Sequence, residues 1–144
     1  MTAASETIEN VLASAIASSP AAPWLRVAIL FGSAASGLLH PGSDIDVGIL
    51  PAVPDLALHR ELELQADLER ICGRAVDLVR LDLANTLLRW EVARSGRVLL
   101  ENPAGAGARF KAQAALEHAD LAPLFEAGAE RWRRAVLART RPPG

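Results

Sequence analysis

Length, composition and charge already exclude several classes of protein. The chain has 144 residues, a net charge of −2 and one cysteine, Cys72, so an internal disulfide is excluded. With 51% hydrophobic residues the chain can bury one ordinary core, yet no apolar run approaches the roughly 18 residues of a membrane span. The N-terminus lacks the basic flank and apolar core of an export signal. We therefore expect a cytoplasmic protein without a membrane segment, whose overall charge does not attract nucleic acid.

Hydrophobic spacing and the positions of glycine and proline predict the secondary structure. In chain order we expect first a helix over 5–18, a strand over 25–31, a loop or short helical turn over 34–43 and a strand over 45–50. A helix over 55–72, a strand over 75–81, a helix over 83–95 and a strand over 97–100 follow. The chain then continues with a flexible joint over 102–107 and a final amphipathic helix over about 107–139. Asp55 is the expected N-cap of the helix over 55–72, and Gly73 is its expected C-cap. Alternating helices and strands predict one α/β (α+β) domain over residues 1–144, with its core over about 5–102.

The pattern most informative about function is Gly32-Ser33, ten further residues, and then Asp44-Ile45-Asp46. Side chains two residues apart on a strand point to the same face, so Asp44 and Asp46 are expected to lie side by side. Two neighbouring carboxylates repel each other, and a magnesium ion, which prefers oxygen ligands, relieves that repulsion. A third carboxylate on a neighbouring strand would complete such a site. Asp77, between Val76 and Leu78, is the first candidate and Asp82 the competing one.

The Gly32-Ser33 dipeptide directly follows a strand, where glycine lets the backbone approach a phosphate and serine adds a hydroxyl donor. Ser43, which directly precedes Asp44, is either a further nucleotide contact or a residue that shapes the turn. Together these residues suit metal-assisted attack on the α-phosphate of a nucleotide, with pyrophosphate as the leaving group.

These motifs resemble those of the polymerase-β-like nucleotidyltransferases, whose signature is a G-S dipeptide followed by a hydrophobic strand with D-x-D. The segment GSAASGLLHPGSDIDVGIL is most similar to the minimal nucleotidyltransferases, the antitoxins of type VII HEPN/MNT toxin–antitoxin pairs. The resemblance covers about residues 25–102 and implies a short mixed sheet flanked by helices. It further implies Mg²⁺-dependent transfer of AMP from ATP to a tyrosine of a HEPN ribonuclease toxin, within a hetero-oligomer.

Residue roles follow from the same resemblance. Asp44, Asp46 and Asp77 would be catalytic residues and metal ligands, while Gly32 and Ser33 would contact the triphosphate. The chain departs from the family at one position, because members usually carry an arginine after the turn, as in G-S-x-A-R-G, where this chain has Ser36. The loss of that cation would weaken nucleotide binding or slow transfer, unless another arginine, such as Arg26 or Arg80, occupies the same space.

Two other functions compete with protein adenylylation. An antitoxin that only caps its HEPN partner fits the loss of the arginine at position 36, whereas the intact aspartates argue against it. An aminoglycoside-type nucleotidyltransferase needs a further substrate-binding domain, for which 144 residues leave little room. The final helix carries an apolar stripe that is either core or partner interface, with these members: Leu121, Phe125, Ala129, Trp132 and Val136.

Overall fold

The protein is an α/β domain in which one four-stranded sheet carries helices on both faces. The computed structural model describes residues 3–140, and the side chains of residues 7–124 and 126–139. The helices are α1 (Ala3–Ser18), α2 (Ser33–Ser36), α3 (Leu58–Cys72), α4 (Thr86–Ser95) and α5 (Ala106–Thr140), with a 3₁₀ turn at Ala22–Trp24. The strands are β1 (Leu25–Phe31), β2 (Ile45–Pro51), β3 (Val76–Arg80) and β4 (Arg97–Glu101). No helix within residues 3–140 is long and apolar enough to cross a membrane.

The sheet is mixed, as the sequence predicts, and its strand order is β3-β2-β1-β4. β1 pairs antiparallel with β2 on one side and with β4 on the other. β2 and β3 run parallel, because α3 carries the chain back between them. This parallel pair fixes which residues of the two strands stand beside each other.

The central strand β1 separates two hydrophobic cores, because its side chains alternate between the faces of the sheet. Ala28 and Leu30 face α1 and α3, where the buried side chains include Leu12, Ile16 and Leu64. The opposite face packs against α4 and the first part of α5, in a core formed by Val27, Ile29, Phe31, Val92, Phe110 and Ala114.

Several details differ from the sequence-based expectations. Asp55 lies in a turn and α3 begins at Leu58, with Ala57 in the N-cap position and no side-chain cap, so the prediction of Asp55 as the N-cap was wrong. α4 begins at Thr86, because the Asn85 side chain accepts a hydrogen bond from the Leu88 N–H at 2.9 Å and caps the helix there.

The packing of α5, which the sequence left open, is decided by the structure: only its first part is buried against the domain. Phe110 and Ala114 are buried, whereas Leu124 and Trp132 are 66% and 69% exposed. The apolar stripe from residue 121 onwards is therefore not part of this chain's core where its side chains are described. Its Phe125 side chain lies outside the described residues.

Candidate active site

Asp46 lies near the start of β2, between the end of β1 and the start of β3. It is paired with Phe31 on β1 and with Asp77 on β3. Residues in register on neighbouring strands point to the same face, so Asp46 and Asp77 stand side by side. That face is the one that α4 and α5 cover further along the sheet, where Leu50 and Val79 pack into the second core.

Gly32 and Asp46 are in close contact at this point of the sheet. Gly32 precedes α2 and has φ = +70°, a backbone conformation that costs little only for glycine. A Cβ atom at position 32 would collide with the Asp46 carboxylate. Glycine is thus required here both by the backbone and by the carboxylate, and the G-S turn adjoins the acidic group directly.

Burial and two acidic neighbours influence the ionisation of Asp46. The pKa of Asp46 is raised above its ordinary value of 3.8 by partial burial, then by the negative charges of Asp77 and Asp44. Asp44 is exposed just before β2, and the next residue, Ile45, donates its N–H to the Ala75 carbonyl at 2.9 Å. The ionised state of Asp46 is therefore destabilised by the same neighbours that would share a cation with it.

The three carboxylates fit a hard divalent cation by their chemistry. They supply only oxygen ligands, they repel one another, and Mg²⁺ is bound through such groups together with substrate phosphates. Their present arrangement is not a preformed cage, since among residues 3–140 no three His, Cys, Asp or Glu side chains converge closely enough to hold a metal ion.

Asp82, the competing third carboxylate, lies elsewhere. Both of its oxygens accept hydrogen bonds from the guanidinium of Arg80, at 2.8 and 2.6 Å. These bonds lower the pKa of Asp82, in contrast to the raised pKa of Asp46. The strand register places Asp77, and not Asp82, beside Asp46.

The serines of the motif differ in their surroundings. Ser33 begins α2 and is half-buried, whereas Ser36 is exposed and its hydroxyl donates a hydrogen bond to the Ser33 carbonyl at 3.2 Å. Ser43 shapes the turn before Asp44, because its hydroxyl oxygen accepts a hydrogen bond from the His40 N–H at 3.1 Å. Of the two alternatives for Ser43, this bond gives it a turn-shaping role.

Arg74 is a residue of this site that sequence reasoning did not identify. Its guanidinium donates from one Nη1 atom to the carbonyls of His40, at 2.8 Å, and Ser43, at 3.3 Å. The bonds tie the loop that delivers Asp44 to the segment that leads into β3 and Asp77. No local sequence pattern predicts that an arginine after the C-terminal glycine of a helix makes such a contact.

Comparisons with known proteins identify the family of this chain. Residues 19–104 match the family described as "Polymerase beta, Nucleotidyltransferase". A curated relative, the protein adenylyltransferase MntA of Aphanizomenon flos-aquae (strain 2012/KM1/D3), is 26% identical in an alignment 108 residues long that covers 69% of this chain and 72% of the relative.

Solved structures show the same fold. A crystal structure of a toxin–antitoxin with AMP-PNP contains a chain that is 27% identical and superimposes with a TM-score of 0.72, covering 87% of this chain and 98% of that one. A complex of a tri-AMPylated Shewanella oneidensis HEPN toxin with its MNT antitoxin contains a chain that is 23% identical, with a TM-score of 0.59 and coverages of 87% and 98%; at that identity it bears on the fold alone.

Proposed function

Since this chain belongs to the polymerase β nucleotidyltransferase family, we propose that it is the antitoxin of a type VII HEPN/MNT pair and transfers AMP from ATP to a tyrosine of its HEPN toxin. The observation that carries the proposal is the meeting of Asp46 with Asp77 on one side and with the Gly32 turn on the other. A curated relative named protein adenylyltransferase and a similar chain in a toxin–antitoxin structure with AMP-PNP support it.

The reaction assigns a separate task to each part of the site. The tyrosine hydroxyl oxygen attacks the α-phosphorus of ATP, a phosphorus–oxygen bond forms, and the bond to pyrophosphate breaks. Gly32 and Ser33 hold the triphosphate through backbone N–H groups and the serine hydroxyl. Asp77 accepts the proton of the attacking hydroxyl. The Mg²⁺ ion, for which Asp44, Asp46 and Asp77 are the proposed ligands, would supply positive charge that stabilises the developing negative charge on the phosphate oxygens.

The proposal includes the setting in which the chain works. Residues 1–144 act as a single nucleotidyltransferase domain in the cytoplasm, bound to the toxin in a hetero-oligomer. The protein partner provides the acceptor hydroxyl. ATP is the nucleotide substrate, as the family membership and the AMP-PNP structure of a similar chain suggest.

The proposal is tested by measuring the transfer of AMP to the partner protein. The native chain, incubated with its HEPN partner, ATP and Mg²⁺, should add the mass of one adenylyl group or more to the partner, and peptide mapping should place it on a tyrosine. Asp46→Asn should abolish the mass increase, because it removes a proposed metal ligand. Asp55→Asn is the matched control, since Asp55 is an exposed turn residue outside the site and its change should leave transfer intact.

Two further measurements separate lost catalysis from lost folding and from simple capping of the toxin. Without metal, Asp46→Asn should unfold at a temperature no lower than the native chain, because the substitution removes a carboxylate whose ionisation its neighbours oppose. A loss of transfer then cannot be attributed to unfolding. The capping antitoxin, which the serine at position 36 favours, would be the function if wild-type mixtures showed no mass change while Asp44→Asn/Asp46→Asn still fully rescued growth from the toxin.

A further inference from the structure

A cavity lies on the same face of the sheet as the carboxylates, at the far end of the strands. It has a volume of about 240 Å³ and opens between β1, β2, α4 and the start of α5. Three arginines line it, Arg26, Arg89 and Arg109, above an apolar wall that includes Leu50 and Phe110. We name it the arginine pocket.

The guanidinium of Arg89 is held in a fixed position in the arginine pocket. It donates to the Leu81 carbonyl at 2.6 Å and to a Glu117 oxygen at 3.0 Å, and it lies 5.1 Å from the centre of the Phe110 ring. Its side chain is only 16% exposed. The Arg89 side chain is therefore already fixed in place. A ligand that accepts a hydrogen bond from its remaining N–H groups would not have to immobilise it.

The other two arginines carry charge that is not neutralised. Arg26 and Arg109 are exposed, and neither side chain forms an ion pair or hydrogen bond with any residue in the described range 3–140. The nearby Glu101 carboxylate is engaged at the start of α5, where it accepts from the N–H groups of Gly105 and Gly107 at 2.7 and 3.3 Å. Because Arg89 is paired with Glu117, the positive charge of the pocket that is unpaired among the described residues comes from Arg26 and Arg109, beside apolar surface.

The arginine pocket is separate from the candidate active site. Leu50 stands four residues beyond Asp46 on β2, a distance of roughly 13 Å at ~3.3 Å per residue. Between them the Leu81 side chain packs so closely over Gly48 that a Cβ atom there would lie 2.8 Å from it. The Leu81 side chain thus stands between the pocket and the carboxylates, and the inference does not depend on the proposed transfer reaction.

We propose that the arginine pocket binds an organic phosphate monoester whose apolar body is about the size of one ring. Three guanidinium groups can each satisfy a different oxygen of a phosphate, whereas a carboxylate is already satisfied by one bidentate arginine. The ring would lie against Leu50 and Phe110, and the cavity volume, below the roughly 300–1,000 Å³ of ordinary ligand sites, leaves room for little more.

The experiment is a titration of the native chain with phenyl phosphate in the presence of EDTA, followed by NMR signals of arginine Nε–H and backbone N–H groups. Inorganic phosphate and benzoate are the comparison probes. Phenyl phosphate should bind saturably and more tightly than either, since inorganic phosphate lacks the ring and benzoate lacks the third oxygen. The shifted signals should belong to Arg26, Arg89, Arg109 and the start of α5.

Matched double variants decide whether the arginines are responsible. Arg26→Gln/Arg109→Gln should weaken binding of phenyl phosphate by about tenfold or more, the loss expected for one or two charged hydrogen bonds. Arg70→Gln/Arg94→Gln removes the same charge from exposed helix positions outside the pocket and should keep native affinity. The proposal is overturned if phenyl phosphate does not saturate, if both double variants lose affinity equally, or if the shifts concentrate at Gly32 and Ser33.

Discussion

The resemblance to the minimal nucleotidyltransferases implies an arginine near the triphosphate at position 36, where this chain has a serine. Neither Arg26 nor Arg80 replaces that charge. Arg26 is at the opposite end of β1 from Gly32, and Arg80 is bound to Asp82 and to Glu61. Arg74 is at the correct end of the sheet, but its Nη1 is occupied by the carbonyls of the Asp44 loop.

Restoring the charge should therefore strengthen nucleotide binding. We expect Ser36→Arg to tighten ATP binding by about 1–2 kcal/mol, because a guanidinium forms charge-assisted hydrogen bonds with phosphate oxygens and a serine hydroxyl does not. Calorimetric titration with Mg-ATP measures the change. Ser14→Arg, which adds the same charge at an exposed position of α1, is the control and should leave the affinity as it is. Equal or weaker binding by Ser36→Arg would show that position 36 does not face the phosphates.

At the scale of secondary-structure elements, the site depends on how the loop before β2 is fixed to the start of β3. Arg74 makes that connection through two backbone carbonyls. We expect Arg74→Gln to raise the Mg²⁺ concentration needed for half-maximal transfer, because the loop that carries Asp44 would no longer be held in place near Asp46. Arg74→Lys should restore most of the native Mg²⁺ dependence, since an ammonium can still donate to a carbonyl. An unchanged Mg²⁺ requirement in Arg74→Gln would assign Arg74 to stability alone.

At the opposite end of the sheet, Arg80 links β3 to α3 through Glu61 and to the turn after β3 through Asp82. Because the pKa of Asp82 is lowered below 3.8 by Arg80, its ionised form stabilises the fold above that value, and the contribution is lost as pH falls through the lowered pKa. Asp82→Asn should thus cost about 1 kcal/mol at neutral pH, a moderate figure for a partly exposed pair. Urea unfolding at several pH values should show the difference between native and variant vanish in acid; a constant difference would contradict this origin.

The whole molecule divides into a packed domain and a helix that extends from it. Since the buried contacts of α5 lie at Ala106, Phe110 and Ala114, a chain that ends at Pro123 should unfold within about 4 °C of the native temperature, a change of about 1 kcal/mol or less for a protein of this size. Phe110→Ala, in contrast, should cost about 3–5 kcal/mol, because it empties a site in the second core. Calorimetry compares the two variants. A large loss in the truncated chain would mean that the second half of α5 packs on the domain.

Local sequence determined the elements and the first two carboxylates. Alternating or helical hydrophobic spacing and the positions of glycine are properties of a few consecutive residues, so the four strands, the order of the helices and the placement of Asp44 and Asp46 at the start of one strand follow from them. The glycine at 32 was expected for a close approach of the backbone to phosphate. Structure adds a second reason, the Asp46 carboxylate against it.

Contacts between distant segments were decided only by the tertiary structure. The sequence favoured Asp77 as the third carboxylate but left Asp82 open. The parallel register of β2 with β3 places Asp77 beside Asp46, while Arg80 binds Asp82. The exposed half of α5 has the same periodicity as a buried helix, because periodicity records an apolar face but not what covers it. The hydrogen bonds from Arg74 to the loop before β2, and the arginine pocket, likewise join residues tens of positions apart. No local sequence pattern predicts contacts of that kind.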